Sequence, residues 1–311
     1  MARLRRPLGC VDRTQGTLRF VLAGFVIALV TAAVAGAAPP PLRGRIVFVG
    51  TRSADGNGDI YVMNADGSGQ TLIRDDPGSD NWPVWSPGGK RIAFVMNSVP
   101  TAPPMTSDLY VMNADGSDAT QLTTGLRAEL PAWSPNGSWI AFGCTGDICA
   151  IHPNGTGLHR LTHAPGQDAT APAWSPDGRQ IAFAAMGGLY VMSANGSGRH
   201  RLLSKSGFAT WSPNGKQIAF DSVLTSSGNV LTNNLWVMKA NGSGQHRLLI
   251  GGAAPVWSPD GKWIAFTSPR GHSHYDHIWV IRPDGSDLTP LTSGQPPSNW
   301  GDSSPDWTPT P

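Results

Sequence analysis

The chain has 311 residues, enough for one large domain or two ordinary ones, and only 14% of them are charged, while glycine (38), proline (27) and tryptophan (12) are plentiful. That profile suits many short strands joined by tight turns and is poor in the material of long solvent-facing helices. The formal charge of +2 originates in residues 1–37: removing their five arginines and one aspartate leaves 18 basic against 20 acidic residues, a balance that argues against nucleic acid as the principal partner.

The first element, Leu18 to Ala38, is apolar, preceded by arginines and followed by Pro39, Pro40 and Pro41. It reads as an export signal with a cleavage site at Ala35-Gly36-Ala37; an uncleaved signal anchor is the alternative, because the apolar stretch approaches the length that spans a bilayer. In either case the arginines mark the cytoplasmic side and the bulk of the chain faces outward, periplasmic, secreted or held at the outer side of the cytoplasmic membrane. Membrane contact is expected only through this segment. The expected organisation is a signal or anchor over 1–38, a proline-rich linker over 39–43 and one domain over 44–311.

Beyond the linker the sequence repeats. The string W-S-P-x-G occurs with its tryptophan at 85, 133, 174, 211 and 257, and a degenerate sixth copy sits at Trp307. The intervals of 37 to 50 residues match the size of a four-stranded propeller blade. Each copy continues through an I-A-F strand (Ile92, Ile140, Ile181, Ile218, Ile264), a strand such as LYVM or IWVI, a turn such as N-A-D-G-S, and a short segment ending in leucine. Four strands per repeat follow, A to D. The S-P-D-G turns place proline where φ near −65° is wanted and glycine where φ is positive. Ile46 to Phe48 form a first I-x-F strand with no W-S-P strand before it, whereas Trp307 supplies one with nothing after it. The expected fold is therefore all-β, a six-bladed β-propeller of four-stranded blades whose ring is closed by the C-terminal strand.

These residues resemble the TolB-type propeller repeat from Arg43 to Trp307. The resemblance implies a cell-envelope propeller that recognises a protein through one mouth of the ring, as TolB recognises a peptidoglycan-associated lipoprotein. With only a short linker between the leader and the first strand, no α/β domain like the one that precedes the TolB propeller is expected. Related propellers of tricorn-type and prolyl-oligopeptidase-type peptidases rely on a separate hydrolase domain, and no G-x-S-x-G occurs here. Oligogalacturonate lyases place a histidine-bound metal on such a propeller, which keeps a metal-assisted lyase or hydrolase as the alternative to non-catalytic binding.

The uniform turns fall on one face of the ring, and the variable loops on the other. Variable loops on a rigid frame are where binding usually resides. Residues 51–58, 96–107, 221–233 and 267–276 are the B-to-C loops there, joined by the D-to-A segments 74–82 and 293–303. Trp82 and Trp300 each follow an asparagine and are candidates to stack on a peptide or sugar at this mouth, with Tyr275 and Asp302 in the same loops. The expected partner is an envelope protein or glycan.

His272, His274 and His277, with Asp276, put three imidazoles and a carboxylate within six residues, a set that could ligate zinc but matches no fixed metal motif. A solvated polar loop is the plainer reading. Asp55-Gly56-Asn57-Gly58-Asp59 alternates oxygen donors as a calcium loop does but lacks the later bidentate glutamate, so a glycine-rich turn is expected. No cofactor is expected beyond these two possible ions. Cys144 and Cys149 flank a short hairpin and could pair in an oxidising exterior. Asn136, Asn154, Asn195 and Asn241 formally match glycosylation acceptors but recur because the turn favours Asn-Gly.

Overall fold

A computed structural model describes residues 42–52, 56–98, 106–163, 166, 168–224, 232–270, 276–293 and 301–308. Among them, 24 strands form six antiparallel four-stranded sheets. Blade 1 takes strand A from the C-terminus (Asp302–Trp307), then Arg45–Gly50, Asp59–Asn64 and Thr71–Arg74. Blade 2 is Ser79–Trp85, Arg91–Asn97, Ser107–Asn113 and Thr120–Gln121; blade 3 is Ala128–Trp133, Ile140–Cys144, Asp147–Ile151 and His159–Arg160. Blade 4 is Thr170–Trp174, Gln180–Ala185, Gly188–Ser193 and His200–Leu203; blade 5 is Ala209–Trp211, Gln217–Leu224, Thr232–Lys239 and His246–Ile250. Blade 6 is Ala253–Trp257, Ile264–Ser268, His277–Ile281 and Thr289–Pro290.

Closure follows the expected route. Ile46 pairs with Trp307 and Gly50 with Asp302, so neither the first nor the last strand leaves an open edge beside the axis. The B strands are buried on both faces, as strands sandwiched between neighbouring blades must be: Ile181, Ala182 and Phe183 are all fully enclosed. Each apolar cluster joins residues of adjacent blades, so the core is a ring of six interblade layers. The turns behave as their residues dictate. In Ser175-Pro176-Asp177-Gly178 the glycine N–H reaches the Ser175 carbonyl at 2.8 Å with Gly178 at φ 69°, a conformation that favours a residue without Cβ.

Five A strands share a bulge that the repeat does not announce. Trp82, Leu130, Ala171, Ala254 and Ser304 adopt φ of 48–51°, each directly before a proline, and the pairing register shifts there. Blade 5 lacks both the proline and the shift. Its neighbourhood is held instead by the Asp221 carboxylate, which accepts the backbone N–H of Phe208 at 2.9 Å and of Ala254 in blade 6 at 3.0 Å. Asp221, expected in a loop, lies within strand B opposite Leu235, because that hairpin extends through Leu224.

Candidate functional site

The A strands surround an axial cavity of about 590 Å³. Its wall carries the five bulge prolines, Pro83, Pro131, Pro172, Pro255 and Pro305, together with Asp306. At the loop-bearing end lies a recess of about 730 Å³. Trp82 borders both spaces. Around it the recess presents Asn97 from blade 2, Arg127 and Glu129 from the start of blade 3, Thr145 from the B-to-C turn of blade 3, and Asp168 just ahead of blade 4. Trp82, Arg127, Thr145 and Asp168 all have φ of 45–50°. Non-glycine residues held there cost about 1–3 kcal/mol each; at Trp82 this is the bulge shared by five blades, and at Thr145 the hairpin turn that Met186 repeats in blade 4. The result is a concave patch offering an indole, a guanidinium, two carboxylates and amide and hydroxyl groups.

The opposite side of the mouth, where blades 6, 1 and 2 meet, is tied up internally. Arg52 donates to Asp302 Oδ1 at 2.7 and 3.2 Å and to Gln70 Oε1 at 2.8 Å, and its guanidinium lies 4.7 Å from the Tyr61 ring. His277 Nδ1 is 3.7 Å from Asp302 Oδ2. Arg74 pairs with Asp76 and, at 3.2 Å, with Asp80, while lying 4.7 Å from the Phe94 ring. Burial pushes the Asp80 carboxyl up to about 7 against the opposing pull of Arg74, with Asp76 adding to the rise. Burial, then the Asp59 charge, raises the Tyr61 hydroxyl above its ordinary range.

These positions locate the residues singled out in the sequence. Trp82 stands at the recess. Asp302 is buried beneath Arg52, and His277 opens strand C of blade 6 with its side chain enclosed. His272, His274, Tyr275, Trp300 and Asp55 lie outside the described residues. Among the described residues no three His, Cys, Asp or Glu side chains are grouped to hold a metal ion. Asn57 donates its side-chain amide to the Pro77 carbonyl at 3.0 Å, and Asp59 pairs with Gly50 as the first residue of strand C. Cys144 and Cys149 form a disulfide with Cα atoms 5.8 Å apart, crossing the hairpin diagonally, since Cys144 faces Asp147 and Cys149 faces Phe142. Arg127, Glu129 and Asp168 were not singled out. Their signal was available as polar residues at or just ahead of the start of strand A in blades 3 and 4.

No curated protein sequence matches the chain. Among solved structures, TolB from Acinetobacter baumannii superposes with a TM-score of 0.72 at 21% identity, over 85% of this chain and 66% of that one. The chain thus spans just under two thirds of that protein's length. A protein assigned as TolB in Agrobacterium tumefaciens gives 0.60 at 19% identity, covering 81% and 90% of the two chains. An oligogalacturonate lyase from Vibrio parahaemolyticus gives 0.51 at 13% identity, covering 71% of each. At these identities the likeness is one of fold. In sequence, the TolB beta propeller domain matches residues 38–207, more than half of the chain, which therefore belongs to the TolB beta-propeller family.

Proposed function

We propose that the chain is an exported, non-catalytic propeller of the cell envelope that binds a protein through its loop-bearing mouth. The observation that carries this reading is the recess beside the axial cavity, where Trp82 and Arg127 stand with Glu129 and Asp168 on a concave surface. Tryptophan and arginine are the residue types most often responsible for interface energy, and groups of both signs suit a protein partner better than a polyanion. Export is supported by the leader and by the disulfide, a bond that persists in oxidising compartments. The TolB-type repeat supplies the analogy of an envelope propeller with a protein partner.

Capture from native envelope extract tests the reading, with the full chain as bait beside a Trp82→Ala, Arg127→Ala variant. The fold tolerates alanine at position 82, because Ala171 and Ala254 occupy the same bulge position in blades 4 and 6. A protein retained by the unaltered chain and lost from the variant supports the mouth as the binding surface. Equal retention by both would move the interface elsewhere.

A further inference from the structure

Each strand-A tryptophan faces the seam with the preceding blade, and at five of the six it is buried: Trp85 4%, Trp133 8%, Trp211 9%, Trp257 5% and Trp307 4% exposed. Trp174 alone is half-buried. The residue opening the preceding B strand explains the difference at several seams. Arg45 lies over Trp85 at 4.8 Å, Arg91 over Trp133 at 5.4 Å, and Trp263 packs in one cluster with Trp307. In blade 3 this position is Trp139, which packs against the same interblade cluster as Trp174 and is also stacked on His152 of its own blade at 3.7 Å and edge-on to His159 at 5.0 Å. A cavity of about 490 Å³ is left between blades 3 and 4, bordered by both indoles and by His159. It lies on the turn-bearing face: its blade 3 lining begins at Ser134, just past the end of Ala128–Trp133, whereas the mouth recess meets that strand at Ala128.

The polar groups around this cavity are held in fixed orientations. Asn136 Oδ1 accepts the Ser134 hydroxyl at 2.8 Å and the Ser138 N–H at 3.0 Å. Asp177 Oδ1 accepts the Ser175 hydroxyl at 2.6 Å and the Arg179 N–H at 3.1 Å. Asn195 Oδ1 accepts the Ser197 hydroxyl at 2.7 Å and N–H at 3.1 Å. All three residues are exposed, so Asn136 Nδ2, Asp177 Oδ2 and Asn195 Nδ2 are presented on the surface beside the cavity. His159 Nδ1 is 2.8 Å from the Gly157 carbonyl, so it is the donor in that bond.

We propose that the seam between blades 3 and 4 binds a neutral oligosaccharide. Sugar rings pair apolar C–H faces with hydroxyls that both donate and accept, and this cavity offers indole surface beside two amide donors, a carboxylate acceptor and an imidazole. Its volume falls within the usual range of ligand pockets. The only formal charge on the lining is Asp177, whose carboxyl the Ser175 hydroxyl holds below its ordinary range, so anionic polymers such as polyuronates are disfavoured. The site is independent of the protein-binding mouth.

Isothermal titration calorimetry on the full chain tests the proposal, with cellotriose, maltotriose and tri-N-acetylchitotriose as probes and trigalacturonate as the anionic control. Trp139→Gln places the residue that Gln180 and Gln217 supply at the same position of blades 4 and 5, and Asp177→Asn copies Asn136 and Asn214 in the same turn. Both variants should keep the fold. The expected result is binding of at least one neutral trisaccharide, about tenfold weaker after Trp139→Gln, weaker after Asp177→Asn and unchanged by Trp82→Ala. No neutral trisaccharide bound at millimolar concentration, affinity unaltered by Trp139→Gln, or preference for trigalacturonate would overturn it.

Discussion

The Asp306 carboxylate accepts the backbone N–H of Trp85 at 2.7 Å, which ties the C-terminal strand of blade 1 to the inner strand of blade 2. Burial raises this carboxyl to about 7, opposed by the N–H groups of Trp85 and Trp307. An ordinary aspartate in the unfolded chain titrates near 4. Between those values the native state holds a proton that the unfolded state has lost, so stability falls as pH rises through 7 and is regained on acidification towards 5. Asp80, raised to about 7, and Asp221, raised to about 6, act in the same direction. Asp306 borders the axial cavity and is partly exposed, which tempers the effect, and about 1–2 kcal/mol is the expected size for this group. Calorimetry should give a higher Tm at pH 5 than at pH 8, and Asp306→Asn should narrow the difference; a Tm higher at pH 8 would contradict this assignment.

Removing residues 302–311 takes away strand A of blade 1 and leaves Arg45–Gly50 as an open inner edge. The shortened chain should lose near-ultraviolet circular dichroism and associate on size exclusion. A monomer that melts as the intact chain does would show that the ring does not depend on this strand.

The strand-A tryptophans should differ in value. Trp133→Ala removes a buried indole, its Nε1 bond to the Val84 carbonyl at 3.3 Å and its cover by Arg91, and should cost about 3–5 kcal/mol. Trp174→Ala, at the open seam, should cost less than half as much because its ring already meets solvent. Denaturant midpoints of the two variants decide the order, and equal losses would mean that the seam at Trp174 is closed.

Reducing the Cys144–Cys149 bridge should destabilise the chain by about 2 kcal/mol, the chain-entropy value for so short a loop. Intact mass should rise by two hydrogens on reduction. A bridge whose removal leaves the denaturation midpoint unchanged would be carried entirely by the Thr145-Gly146 turn, which already closes the hairpin.

The ring was legible because its information is periodic: W-S-P-x-G and I-A-F recur at blade spacing, and the orphan strands at Ile46 and Trp307 specify closure. The bulges were less so. Proline two residues before tryptophan is visible at Pro83, Pro131, Pro172, Pro255 and Pro305, but the positive φ before each depends on how strand A meets strand B. Trp82 was singled out because it follows an asparagine just ahead of a strand-A motif, whereas Arg127 and Asp168 carry no such motif and come to the recess only through the packing of blades 3 and 4. Trp174 reads as core in the sequence because its own repeat is unexceptional. Its partial exposure goes with the cavity that it borders together with Trp139, a tertiary feature that no local pattern encodes.

Site-specific photo-crosslinking in native cells tests the central claim most directly. A benzophenone amino acid at position 82 would report on the mouth, and one at Ser197 on the exposed turn-bearing face. The account predicts a discrete adduct between position 82 and an envelope protein, with none from position 197. Adducts from position 197 alone, or none from position 82 in correctly localised protein, would contradict a protein-binding mouth.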